Sequence, residues 1–328
     1  MKAWQVTQNG EPRDVLRLGE VPRPTPGAGE LLVRVLAAAG NFPDVLMVRG
    51  AYQERPDMPF TPGVELCGEV VASGPGADGF AVGDRVLGMA VLPHGGFAEY
   101  AVLPAAGAYP APRTLGHAEA SVFLVAYQTG WFGLHRRAAL QAGETLLVHA
   151  AAGGVGSAAV QLGKAAGARV IAVVRGPDKA KAAADLGADV VVDRRDEDFV
   201  AVVKEATGGR GADVVYDPVG GDTFTRSTKC IAFEGRIVVV GFAGGDIQTA
   251  RADHALVKNY SVVGLHWGLY RTKNPALIQR CHEELTNLAA AGVVRPLVTE
   301  RLALPEVAAG LQRLADGLTI GRFAYVAA

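Results

Sequence analysis

Residues 149–156, His-Ala-Ala-Ala-Gly-Gly-Val-Gly, place glycine at 153, 154 and 156, directly after an apolar run. Glycines at such a point let the backbone approach a pyrophosphate closely. A helix that starts there offers unpaired N–H groups and the positive end of its dipole. The spacing from Ala150 through Gly153 to Gly156 is a relaxed form of the dinucleotide fingerprint. Ala152, Gly153, Gly154 and Val155 are its expected phosphate contacts. Tight helix–sheet packing alone also uses glycines, but the strand–turn–helix setting favours the phosphate reading.

The following strand selects the dinucleotide. NAD enzymes place a carboxylate on the ribose 2′-hydroxyl about 20 residues beyond the turn. Here that strand ends Val174-Arg175-Gly176, Lys179 follows, and Arg194 and Arg195 close the next strand. Guanidinium and ammonium groups at that tip suit a 2′-phosphate, so the expected cofactor is NADPH.

The elements needed to hold these residues are visible as periodicity. From about residue 122, strands at 145–149, 169–174, 190–193, 213–217, 236–241 and 261–265 alternate with helices at 157–166, 178–186, 196–207, 222–231 and 252–259. Uniformly apolar strands alternating with helices predict a parallel sheet covered on both faces. Before residue 120, short runs at 31–39, 64–73, 85–91 and 97–103, separated by Gly and Pro clusters, predict a small antiparallel β domain. After Trp267, helices at 275–291 and 305–316 and a strand at 321–326 do not extend the alternation and are expected to return to the first domain.

Bulk composition excludes several classes. Lys and Arg number 32 against 33 Asp and Glu, with no long run of one sign, so nothing suggests a nucleic-acid or anionic-membrane partner. Cys67, Cys230 and Cys281 are scattered and fit neither a disulfide framework nor a zinc-ligand spacing. Residues 145–163 carry no charge, yet four glycines, His149 and Gln161 read better as a buried strand, turn and helix than as a membrane span. The first residues lack the apolar core of a signal peptide, which gives a cytoplasmic expectation.

The chain resembles the medium-chain dehydrogenase/reductase superfamily, in its zinc-free quinone oxidoreductase branch, which includes zeta-crystallin. The marks are Gly40-Asn-Phe-Pro-Asp44, Arg49-Gly-Ala-Tyr52, the segment 62–71 (PGVELCGEVV), Gly83-Asp-Arg-Val86, Gly95-Gly-Phe-Ala-Glu-Tyr100, 150–156 and Asp217-Pro-Val-Gly-Gly221. The resemblance implies an α/β protein: a GroES-like β-rich catalytic domain at 1–122 and 268–328, and a Rossmann doubly wound parallel-sheet domain at 123–267. It also implies a homodimer joined through the strand near residues 262–265. Asn41 and Val64 fall where zinc-dependent relatives carry a Cys and a His ligand, and the four-cysteine zinc lobe is missing. No metal is therefore expected. Without a Lewis acid an alcohol hydroxyl is hard to ionise, whereas a quinone accepts hydride directly.

What remains is which residues act. Asn41, Asp44 and Tyr52 match cleft-lining positions of that branch; Asn41 is suited to hydrogen-bonding cofactor or substrate, Tyr52 to stacking on a quinone or hydrogen-bonding it. Thr129 resembles a nicotinamide contact, and Val219 lies in a cofactor-side turn. Gly241 and Phe242 are expected to cover the cofactor, His266 and Trp267 to present backbone groups to its carboxamide, and Arg322 to reach its phosphate end. The expected activity is NADPH-dependent hydride transfer to a quinone in an interdomain cleft. The alternatives are an enoyl-thioester or other activated-alkene reductase, with Tyr52 as acid, and a non-catalytic NADPH-binding, crystallin-like protein.

Overall fold

The computed structural model describes residues 1–328. They form two compact units, 1–125 with 295–328, and 126–294. The first boundary falls three residues after the expected one. The second lies well beyond residue 268, because helix Pro275–Ala290 belongs to the nucleotide unit. There Trp131 Nε1 donates to Glu284 Oε2 at 2.8 Å, and Ile278, Cys281 and Leu285 are buried. Only the segment from 295 onward rejoins the β-rich unit.

The nucleotide unit is built on six parallel strands. From edge to edge they are Val190–Asp193, Arg169–Val174, Thr145–His149, Ala212–Asp217, Ile231–Val239 and Ser261–Gly264. In chain order this is 3-2-1-4-5-6, the doubly wound arrangement in which ligands meet the carboxyl ends of the strands. Leu146, Leu147, Val148, Val214, Val215 and Tyr216 are fully buried, as a sheet covered on both faces requires. The helices end where glycine lets the backbone turn left-handed: Gly167 has φ 77° and Gly187 φ 94°. The expected helix 222–231 stops at Ser227, and the following strand starts early, at Ile231, because Ile231 pairs with Ala212 across a register shift.

In the β-rich unit, a seven-stranded sheet runs Val298–Leu302, Arg322–Val326, Glu30–Ala39, Glu65–Ser73, Arg85–Met89 and Ala108–Pro110, with Tyr100–Pro104 also paired to Glu30–Ala39. The last strand of the chain lies antiparallel to the end of Glu30–Ala39, with Ala324 opposite Ala39. That register carries Arg322 to Gly40. Several elements have no counterpart in the periodicity reading: the hairpin of Lys2–Val6 with Leu16–Glu20, and the helices Phe42–Val48, Leu124–Trp131 and Trp267–Lys273. Helix Leu124–Trp131 runs into a π-helical turn at Phe132–Arg137. Phe42–Val48 and Trp267–Lys273 are single short helices of 7 residues, too brief for a 3.6-residue period to register. No helix is long and apolar enough to cross a membrane.

Candidate active site

In the nucleotide unit, strand Thr145–His149 ends at Ala150, which takes the left-handed conformation with φ 49°. Its carbonyl accepts the Gly153 N–H at 2.8 Å, and Gly153 then caps helix Gly154–Ala165. A Cβ on Gly156 would lie 2.2 Å from the Ala150 oxygen and 2.9 Å from the Ala151 Cα. Both obstacles are backbone, so only glycine fits. Ala152 is buried, and Gly153, Gly154 and Val155 are partly exposed at the mouth of the helix. This is a built anion cradle: twelve residues of helix behind it and first-turn N–H groups facing out.

The basic tip divides into two kinds of cation. Arg195 pairs with Asp193 at 2.8 Å, and Asp193 also accepts the Gly176 N–H. These contacts, Arg195 first, pull the Asp193 carboxyl down to about 2. Arg195 and Asp193 thus neutralise each other. Arg175 and Arg194 are exposed and form no ion pair. Lys179 is held below the ordinary lysine range by partial burial and then by the charges of Arg194 and Arg175. Two arginines that together depress a neighbouring lysine mark a place suited to a multiply charged anion. His149 lies nearby and is buried, with Nε2 2.8 Å from Ser227 Oγ. Burial, then the charges of Arg194 and Arg226, hold it down to about 3, so its ring is neutral.

On the other side of the switch point, Asp217 ends its strand. Its Oδ1 accepts the N–H groups of Val219 at 2.8 Å and Gly220 at 3.0 Å. The Gly244 N–H donates to the Val219 oxygen at 2.9 Å, so the turn at Val219 and the loop carrying Gly241 and Phe242 are clasped together. Phe242 is 42% exposed. Thr129 is buried on helix Leu124–Trp131. Trp267 turns its indole inward, donating to Gln128 Oε1 at 3.0 Å, which leaves its backbone as the part able to meet a ligand. His266, next to it, is exposed.

The β-rich unit holds a different kind of assembly. Asn41 precedes helix Phe42–Val48, and Asp44 in its first turn reaches back to the Asn41 N–H at 2.9 Å. Asp44 Oδ1 accepts the N–H groups of Gly63 at 2.8 Å and Val64 at 3.0 Å. The carboxylate therefore ties two loops together. Glu65, also fully buried, accepts from Asn41 Nδ2 at 3.1 Å and from the Val125 N–H at 2.9 Å. Burial pushes both carboxyls up to about 6, against the pull of these donors and of the Arg322 charge. Tyr52 is half-buried and packs on the hydrophobic core. Burial, then the charges of Glu54 and Asp44, raise its hydroxyl, so it stays protonated at neutral pH.

Arg322, expected to reach the phosphate end of the cofactor, belongs to the β-rich unit, where it is buried and donates to the Gly40 oxygen at 2.9 Å beside Asp44 and Glu65. The pairing of the last strand with Glu30–Ala39 dictates this. Glu65 and Gln128 escaped the sequence reading. An acid within the apolar segment 64–71 was the available signal for Glu65; nothing distinguished Gln128.

Known proteins are similar to this chain in sequence and fold. Residues 27–113 match the family model "Alcohol dehydrogenase GroES-like domain", and residues 154–283 match "Zinc-binding dehydrogenase". A quinone oxidoreductase-like protein 2 homolog from Nematostella vectensis is 37% identical over 298 residues, 90% of this chain and 81% of that one. The structure of Escherichia coli quinone oxidoreductase complexed with NADPH superposes with a TM-score of 0.91 at 29% identity, covering all of both chains. A phthioceranic/hydroxyphthioceranic acid synthase from Mycobacterium tuberculosis is 31% identical over 307 residues, 94% of this chain but 14% of the synthase. The chain belongs to the medium-chain dehydrogenase/reductase superfamily, and within it to the zinc-free quinone oxidoreductase family. It is an oxidoreductase by family.

Proposed function

We propose that this chain is an NADPH-dependent quinone oxidoreductase. The observation that carries the reading is the gathering of Arg175, Lys179 and Arg194 in a unit whose helix mouth tolerates only glycine at 156. Arg175, Lys179 and Arg194 take the 2′-phosphate; Ala152, Gly153, Gly154 and Val155 take the pyrophosphate. Thr129, Val219, Gly241, Phe242 and the backbone at His266 and Trp267 hold the nicotinamide half. Bound NADPH supplies a hydride, two electrons with one proton.

The protein's own work is placement and exclusion of water. Hydride addition to a quinone carbonyl leaves a phenolate-type oxyanion, which takes one proton from solvent to give the hydroquinone. Tyr52, protonated at neutral pH, donates a hydrogen bond to the substrate carbonyl. Asp44 fixes the loops carrying Asn41 and Val64. The family's quinone oxidoreductase name and the NADPH complex of its E. coli member support this reading.

The test is oxidation of NADPH and NADH with a panel of quinones, run beside enoyl-thioesters and small enones and repeated with chelator. NADPH with quinones is expected to turn over fastest, unaffected by chelation. The second reading is activated-alkene reduction, with Tyr52, whose hydroxyl burial keeps protonated, as the proton donor to carbon. Enone turnover without quinone turnover would select it. NADPH binding without turnover of either would select the non-catalytic reading.

We also infer a homodimer. Strand Ser261–Gly264 is an unpaired sheet edge, and Leu256 and Val257 on helix Ala252–Lys258 are each 76% exposed. A second copy covering that edge hides both. Light scattering at the monomer mass would remove the inference.

A further inference from the structure

The π turn Phe132–Arg137 and helix Pro275–Ala290, both within the nucleotide unit, border an open groove of about 410 Å³. One wall follows from helical spacing. Helix Pro275–Ala290 buries Ile278, Cys281 and Leu285, which leaves a second stripe, Leu277, Arg280, Glu284 and Leu288, along the groove. The other wall departs from α-helical geometry: the Ala138 N–H donates to the Gly133 oxygen at 2.9 Å, five residues back. Gly133 lets that backbone lie against the Tyr216 ring, which a Cβ would approach to 2.9 Å. Such π turns are rare and gather at functional sites. This one carries His135 and Arg136 to the groove, beside Trp131.

Charge and apolar surface are divided within it. Both Glu284 oxygens are committed: Oε2 accepts the Trp131 indole N–H at 2.8 Å, and Oε1 lies 3.5 Å from Arg280 Nε. Burial holds His135 below the ordinary histidine range, so its ring adds no charge at pH 7. Arg136 is exposed, and the Glu284 pair goes to Arg280 instead. Two guanidinium groups thus stand against one carboxylate, with Leu277 and Leu288 half-buried beside them.

We propose that this groove binds an amphipathic organic anion, with a carboxylate head on Arg136 and Arg280 and an aliphatic chain along Leu277 and Leu288. The surplus of one positive charge calls for a monoanion, and the leucines call for more than a bare ion. A groove of this size holds a chain of about ten carbons. Inorganic phosphate would satisfy the arginines and leave the leucines wet. The inference stands apart from the NADPH reading and shares no residue with it.

Calorimetric titration of the full chain with sodium decanoate tests this. Saturable one-to-one binding below the micelle concentration is expected. Decanoate should bind about tenfold tighter than hexanoate, as extra methylenes half-buried in an open groove would give. Decanol, which lacks the charge, should bind about fivefold weaker than decanoate. Arg136→Gln should weaken decanoate about fivefold. Leu288→Glu, which sets a second carboxylate in the groove, should weaken it at least about tenfold. Should Leu288→Glu fail to fold, Arg136→Gln combined with Arg280→Gln gives the same discrimination, because both arginines are exposed. No binding of decanoate, equal affinity for hexanoate and decanoate, equal affinity for inorganic phosphate, or wild-type affinity in the folded variants would each overturn the proposal.

Discussion

The phosphate turn and the Asn41 cluster both gather polar groups, yet they are built in opposite ways. Around Gly153–Gly156 the protein uses backbone N–H groups and exposed cations, all supplied by consecutive strand–turn–helix units. Around Asn41 it buries two carboxylates and a guanidinium, gathered from residues 41 to 65 and from Arg322, 281 positions after Asn41. The first arrangement stays hydrated until a ligand arrives, and its cost is mutual repulsion among cations. In the second, desolvation is met in advance by internal hydrogen bonds. Damage to the first should therefore appear in binding, and damage to the second above all in stability.

Asp44→Ala should break the buried cluster most severely. It removes the acceptor for three backbone N–H groups and leaves Arg322 with one fewer counter-charge. Stranding such groups costs about 3–5 kcal/mol. Urea denaturation followed by circular dichroism should show that loss. A loss below about 1 kcal/mol, the worth of an ordinary hydrogen bond, would mean the carboxylate is not the tie between the two loops.

The basic tip predicts the converse. Replacing Arg175 and Arg194 together by Ala should leave denaturation unchanged and weaken NADPH binding by about 10–100-fold, as lost charge-assisted hydrogen bonds do. NADH, which lacks the 2′-phosphate, should bind both proteins alike. Equal weakening for the two dinucleotides would show that these arginines act on the pyrophosphate or on the fold instead.

This contrast also explains what could be read from the chain. Gly153, Gly154 and Gly156 and the cations at 175, 179 and 194 lie within 42 residues, and their roles follow from local geometry. Strands Thr145–His149, Arg169–Val174 and Val190–Asp193 were legible to the residue, because a doubly covered strand is apolar throughout. The Asn41 cluster was legible only in part. Asn41, Asp44 and Tyr52 came from resemblance, while Glu65 was missed and the buried setting of Arg322 was not foreseen. Both depend on long-range pairing: Ala39 opposite both Glu65 and Ala324. No spacing rule encodes that. The domain boundary near 268 failed for the same reason. Whether helix Pro275–Ala290 joins one unit or the other is decided by packing, including the Trp131–Glu284 contact, and not by its own periodicity.

The buried cluster also has a pH signature that the exposed one lacks. Glu65 titrates near 6 in the folded chain and near its ordinary value when unfolded. The folded state thus holds the proton more tightly, so stability from this group is complete below pH ~4.3 and is lost as pH rises through 6. Glu65→Gln does not titrate. Between pH 4 and 7, wild type should lose about 2 kcal/mol relative to that variant. Parallel stability–pH curves for the two proteins would show that Glu65 is solvated, and the distinction between the clusters would weaken.

Arg195→Ala gives the finest cut, because it separates neighbouring arginines. Arg194 faces Lys179 without an acidic partner, while Arg195 is neutralised by Asp193 and exposed to solvent. An exposed pair of this kind contributes little, and its cation is already spoken for. NADPH affinity in Arg195→Ala should change by less than about twofold, against the large loss expected when Arg194 is among the residues removed. Freed Asp193 still accepts the Gly176 N–H, which keeps the turn before Lys179 in place. A larger fall in NADPH than in NADH affinity would mean that Arg195 leaves Asp193 when the 2′-phosphate arrives. The tip would then be a site that rearranges on binding, and the difference between a preassembled buried cluster and a waiting exposed one would be sharper still.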